Sequence, residues 1–141
     1  MVEQFKEYAV KQGVDGRVRF MGFVPEDVLE QVLAATDVSL SPYRSMSASG
    51  ALATLISAGR PIVTSDLPQM IELDAMEPGA LHTFSPYASE PLARAIERAL
   101  SVATDEPDPH VQTLARRLST ARIVDRYVGL YRAAAHRSLD A

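Results

Sequence analysis

The sequence predicts an α/β domain with a mostly parallel, doubly wound sheet and helices on both of its faces. Three observations lead there. Short apolar segments alternate with longer stretches of helical periodicity, the order that gives parallel strands joined by right-handed crossovers. The segment around Val38–Leu40 holds too few polar residues for a sheet with one wet face. At 141 residues, 47% of them hydrophobic and 23% charged, the chain has the length and composition of one soluble domain with a packed core, and a single domain over 1–141 is expected.

Val2, Phe5 and Ala9 recur at helical spacing beside Tyr8, predicting a helix to Lys11 or Gln12 that Gly13 ends. Asp15-Gly16 reads as a turn. In "RVRFMGF", Arg17 and Arg19 alternate with Val18 and Phe20, the period of a strand, closing at Gly22. Pro25 with Glu26 and Asp27 opens the next helix, because proline suits the first turn and carboxylates favour the positive end of the helix dipole. Its apolar stripe is Val28, Leu29, Val32 and Leu33.

Val38–Leu40 is the second strand, ended by Pro42. Ser49-Gly50 opens a helix that is apolar on nearly every side, through Ala51, Leu52, Leu55, Ile56 and Ala58, and so is expected to be buried before Gly59 stops it. Pro61 leads into the strand Ile62–Thr64. A loop with Asp66 and Pro68 follows, then a short helix at Gln69–Leu73. Gly79 precedes the strand Ala80–Phe84. Ser89 is placed to cap a helix that turns Leu92, Ala95, Ile96 and Leu100 inward. After the polar break "ATDEPDPH", Val111–Leu118 and Ile123 to about Ala135 are helical. Folds of this kind usually begin with a strand, whereas this chain starts on a crossover helix, so earlier strands are expected to be missing from it.

The charge balance of −4 argues against a phosphate-backbone binder, since nonspecific nucleic-acid affinity comes from many Lys and Arg side chains. The absence of cysteine excludes a disulfide framework, a thiol nucleophile and cysteine-bound zinc, and fits a cytoplasmic location. "MVEQFKEYAV" lacks the layout of a secretory signal, and no apolar run reaches the roughly 20 residues that span a bilayer. Peripheral membrane contact stays open. His82, His110 and His136 show no metal-ligand spacing, so no metal site is expected.

Between two predicted strands lies "SMSASGALATLISAGRP", a loop of small hydroxyl residues running into a helix. Helix N-termini at the carboxyl ends of parallel strands offer free N–H groups and a positive dipole to anions. Gly50 allows close backbone approach, and Ser47 and Ser49 can donate to phosphate oxygens. Ordinary capping by serine is the plainer alternative.

Four stretches in this order resemble the C-terminal nucleotide-sugar-binding domain of GT-B glycosyltransferases of family 4: "VDGRVRFMGFVPEDVLEQVLAATDVSLSPYRS", "SGALATLISAGRPIVTSDLP", "GALHTFSPYASEPLARAIERAL" and "STARIVDRYVGLYRAA". The resemblance implies a Rossmann-like fold, a donor diphosphate on the Ser47, Ser49, Gly50 and Ala51 turn, and the base beside Gly22, Phe23 and Val24. Tyr43 and Arg44 then touch the sugar or a phosphate. It also places "TSDLP", with Asp66, beside the cleft.

The family's two glutamates fall, counting back from "AGRP", on Met46 and Thr54, and of these only Thr54 offers a polar contact. No catalytic residue is assigned and no cofactor beyond the donor sugar is expected. The resemblance implies retaining transfer to an unknown acceptor. It further implies that this chain is a truncated donor-binding domain, inactive without the N-terminal domain or a partner subunit that completes the cleft. In such enzymes the last helix crosses to that domain, so Tyr127–Ala135 is expected to expose an apolar stripe, which leaves self-association open. The alternative is a noncatalytic Rossmann-like assembly module with a degenerate nucleotide pocket.

Overall fold

The computed structural model of the chain describes residues 2–45 and 50–139, the stretch 133–139 by its backbone alone. The chain falls into two compact units, Met1–Val32 and Leu33–Ala141.

The first unit holds α1 (Val2–Lys11), a 3-10 turn at Asp15–Arg17 and most of α2 (Glu26–Ala34). Gly13 ends α1 as expected: its φ of +66° is the left-handed conformation that glycine adopts at least cost, and its N–H donates to Val10 O at 2.9 Å. The expected strand at 17–22 does not form. Residues 18–22 take no regular structure, and Val18, Phe20 and Met21 stay exposed. Alternation supplies a strand with a face but not with a neighbour to pair with, and among the described residues this segment has no ladder partner. The stripe of α2 is half-buried, none of it fully.

The second unit is built on a parallel sheet of three strands in the order β1 (Ser39–Ser41), β2 (Ile62–Ser65), β3 (Leu81–Phe84). Register sets Ser39 beside Ile62 and Leu81, and Leu40 beside Val63 and His82. Those two rows point to opposite faces. On the first face, Ile62 and Leu81 pack with Leu52 and Ile56 of α3 (Gly50–Ala58), Met70 of α4 (Pro68–Met76), and Val111 and Leu114 of α6 (Pro109–Arg117). Both crossover helices, α3 and α4, lie in this cluster, as right-handed connections advancing in one direction require. The second face packs Val63 and Phe84 on Ala95 and Ala99 of α5 (Ser89–Val102), with Val38, Leu92 and Ile96 at the margin. The fold is therefore the predicted α/β class, with helices on both faces.

Several details differ from expectation. α3 is only half buried: Leu52 and Ile56 point inward while Ala51, Ala53, Thr54 and Ser57 are exposed, because the helix lies on one face of the sheet rather than inside it. Leu100 is exposed and Ala99 takes its inward place, since α5 meets the sheet along the Leu92, Ala95, Ile96, Ala99 row. Ser89 is the first helical residue, and Ala88 occupies the cap position without a side-chain bond. In β1 it is Ser39 and Ser41 that are buried, while Leu40 is 47% exposed at the sheet edge; α5 packs chiefly on β2 and β3.

Polar ties join the layers. Asp108 caps α6, its Oδ1 accepting from His110 N at 2.9 Å and Val111 N at 3.0 Å. Arg60 donates to the carbonyls of Thr104, Asp105 and Ala34 at 3.0, 3.1 and 2.6 Å, pinning the start of β2 to the α5–α6 connection and the end of α2. Half-buried Glu77 holds His110 Nδ1 at 3.1 Å and Arg117 Nη2 at 3.2 Å. The last helix, α7 (Thr120–Leu139), leaves Tyr127, Val128, Leu130 and Tyr131 exposed, the apolar stripe the sequence leads one to expect. No helix among the described residues is long and apolar enough to cross a membrane.

Candidate functional site

In a parallel sheet the loops that leave the carboxyl ends of the strands share one edge, and ligands of open α/β folds bind there. Here that edge gathers Pro42–Arg44 after β1, Asp66 and Leu67 after β2, and Ser85–Ala88 after β3, with a cis peptide at Ser85–Pro86. α3, which returns the chain from β1 to β2, begins at the same edge with Gly50.

The loop after β1 is held by hydroxyl groups. From the last residue of β1 onward, three consecutive carbonyls, of Ser41, Pro42 and Tyr43, each accept from a side chain. Buried Thr64 donates its Oγ1–H to Ser41 O at 2.9 Å. The Tyr87 hydroxyl donates to Pro42 O at 2.6 Å. Ser65 Oγ donates to Tyr43 O. Two of these donors sit on β2 and one on the loop after β3, so all three strand ends contribute to fixing one loop.

That loop carries two of the residues singled out in the sequence. Tyr43 is half-buried and packs against the core beneath α3. Arg44 is exposed, its guanidinium carbon 4.3 Å from the centroid of the Tyr87 ring. Gly50 and Ala51 form the exposed first turn of α3. A Cβ at Gly50 would meet no described heavy atom within 4 Å, and its φ is not positive, so the surrounding fold gives no reason for a glycine. Thr54 is exposed one turn further on, and its hydroxyl donates back to Gly50 O at 3.2 Å, leaving the oxygen's lone pairs to accept. Ser47 and Ser49, with Met46, lie outside the described residues.

Gly22, Phe23 and Val24 belong to the first unit. Gly22 has φ +65°, Phe23 is 93% exposed and Val24 half-buried. Asp66 is exposed in the loop after β2. No group of three or more His, Cys, Asp or Glu gathers at metal-binding distance among the described residues.

Sequence reasoning did not single out Tyr87, Thr64 or Ser65 for the site. The signal was present: "FSPY" follows a predicted strand, so Tyr87 had to emerge at the edge where Arg44 emerges.

Residues 2–102 match the family described as "Glycosyl transferases group 1". The chain belongs to that family. No curated protein and no solved structure matches it. The group 1 glycosyl transferase match runs from α1 to the end of α5, so it contains the whole sheet, both crossover helices and each of the three loops at the candidate site. α6 and α7 lie beyond the matched residues. Glycosyl transfer is thus the chemistry of this transferase family.

Proposed function

We propose that the strand-end corner binds a nucleoside-diphosphate sugar and that the chain serves as the donor-binding domain of a glycosyltransferase that retains anomeric configuration. The diphosphate sits against the first turn of α3, where the N–H groups of the opening residues have no intrahelical acceptor and the dipole favours negative charge. Arg44 supplies the cation, its planar fork matching phosphate oxygens. The sequence offers Ser47 and Ser49 as further donors to the same group. When the sugar leaves, negative charge builds on the diphosphate, and fixed donors aimed at that charge lower the barrier. One arginine and one helix terminus meet only part of this need, so the chain alone is expected to bind donor without transferring sugar. The acceptor site and further cations come from a partner domain or subunit.

The observation that carries this reading is the loop after β1, tied at three successive carbonyls and presenting Arg44 at the sheet edge where α3 begins, in a chain of this family. Calorimetric titration of the 141-residue chain with UDP, GDP and ADP tests it. Saturable binding of at least one is expected; absence of heat and of thermal shift with all three would remove the donor site. In that event a second reading, an assembly module, is favoured by the exposed Ile123, Val124, Tyr127, Leu130 and Tyr131 of α7, and sedimentation would then show self-association.

A further inference from the structure

We infer that Tyr87 is a positioning residue that holds Arg44 in place as a preformed anion clamp for the donor diphosphate. This rests on the donor-site reading and adds to it the group that aims the cation.

An exposed arginine has many rotamers, and a ligand that captures it must oppose the entropy of fixing them. Tyr87 lowers that cost through contacts on three sides of one side chain. Its hydroxyl donates to Pro42 O at 2.6 Å, which ties the ring to the backbone just ahead of Arg44. The Phe84 ring, 5.7 Å away and tilted by 46°, supports the Tyr87 ring from the end of β3. The face of the Tyr87 ring lies 4.3 Å from the Arg44 guanidinium carbon. Attraction to an aromatic face uses the cation's charge and not its N–H bonds. Arg44 makes no hydrogen bond or ion pair among the described residues. Its five in-plane donors therefore remain available to phosphate oxygens while its position is restricted.

An ordinary surface tyrosine would also pack on Phe84. It would have no need to bond the carbonyl of the loop that carries the arginine, and it would show no coupling to that arginine's function.

A double-mutant cycle on the full chain separates the two, with UDP, GDP and ADP as probes. Arg44→Gln is expected to weaken nucleotide binding roughly tenfold or more, the loss of charge-assisted hydrogen bonds. Tyr87→Leu is expected to weaken it about two- to fivefold, the range of an exposed cation–ring contact. In the Arg44→Gln background, Tyr87→Leu should cause no further loss. Tyr87→Phe, which keeps the ring and removes the tether to Pro42, should fall between wild type and Tyr87→Leu. Independently, the Arg44 side-chain NMR signals should show an upfield ring-current displacement that disappears in Tyr87→Leu.

Binding by the wild-type chain with additive losses in the cycle would overturn the positioning role and leave the donor site standing. Failure of the wild type to bind any of the three nucleotides would overturn the donor site. The ring-current displacement then reports separately on whether Tyr87 holds Arg44, and its absence from the wild type overturns the positioning role as well.

Discussion

Replacing Gly50 by alanine pulls stability and ligand binding in opposite directions if a diphosphate sits on the first turn of α3. The added methyl group meets no described heavy atom within 4 Å and the backbone conformation is compatible with it. Glycine inside a helix costs about 0.5–1 kcal/mol relative to alanine, and the first helical position lies at the low end, so a gain of about 0.5 kcal/mol is expected. For a chain of this size that corresponds to a rise in melting temperature of about 2 °C. A phosphate drawn close to the amides of Gly50 and Ala51 would be displaced by the same methyl group. Losing one hydrogen bond to a charged partner weakens binding by about 1.5–3 kcal/mol, roughly 10- to 100-fold. Differential scanning fluorimetry and calorimetry with the nucleotide that the wild type binds measure the two quantities on one preparation. A Gly50→Ala chain that is more stable and binds with unchanged affinity would refute placement of the diphosphate on this turn.

Three further outcomes follow from named contacts. Asp108→Ala removes both cap bonds of α6 and should lower stability by about 1 kcal/mol, near 4 °C in melting temperature, with Asp108→Asn restoring much of it. Burial holds the His82 imidazole below its usual value of 6.5, with Arg98 reinforcing the shift and Asp108 and Asp74 opposing it. The unfolded chain therefore takes up a proton first, so His82 contributes stability above pH 6.5 that is lost as pH falls toward the lower folded value; urea midpoints of a His82→Gln chain should vary less over that interval. Thr54→Glu should strengthen binding of nucleoside diphosphates without strengthening that of pyrophosphate, since a carboxylate accepts from two ribose hydroxyls where the threonine oxygen accepts from one; equal changes for both ligands would count against a ribose beside Thr54.

The fold class was legible because apolar runs such as Ile62–Val63 and the 3.6-residue stripe of α5 report burial directly, and burial dictates layers. The strand expected at 17–22 was not, because a strand is a property of two segments and the sequence of one states only that it would have a suitable face. The exposure of Leu40 was not legible for a related reason: whether a face is covered depends on how far α5 reaches across the sheet, a tertiary quantity. At the site, Arg44 and Gly50 could be placed from local pattern, since both neighbour a predicted strand or helix end. Tyr87 is separated from Arg44 by two crossovers in the chain and becomes its neighbour only through the β1-β2-β3 order.

The chemistry of the ties bears on what the corner can bind. A carboxylate would hold Arg44 more firmly than a ring does, but it would neutralise the guanidinium and occupy the donors that an anion needs. Thr64, Ser65 and Tyr87 instead fix the loop with uncharged hydroxyls bound to carbonyl oxygens, and Tyr87 offers Arg44 an uncharged surface. Position is thereby set by neutral groups while the guanidinium has no ion pair among the described residues, in a protein whose net charge is −4. In an acidic protein an arginine with no carboxylate partner among the described residues, restrained at the edge of a parallel sheet where a helix begins, is the arrangement expected for a bound anion. A structural role for Arg44 would instead call for a partner that consumes its charge.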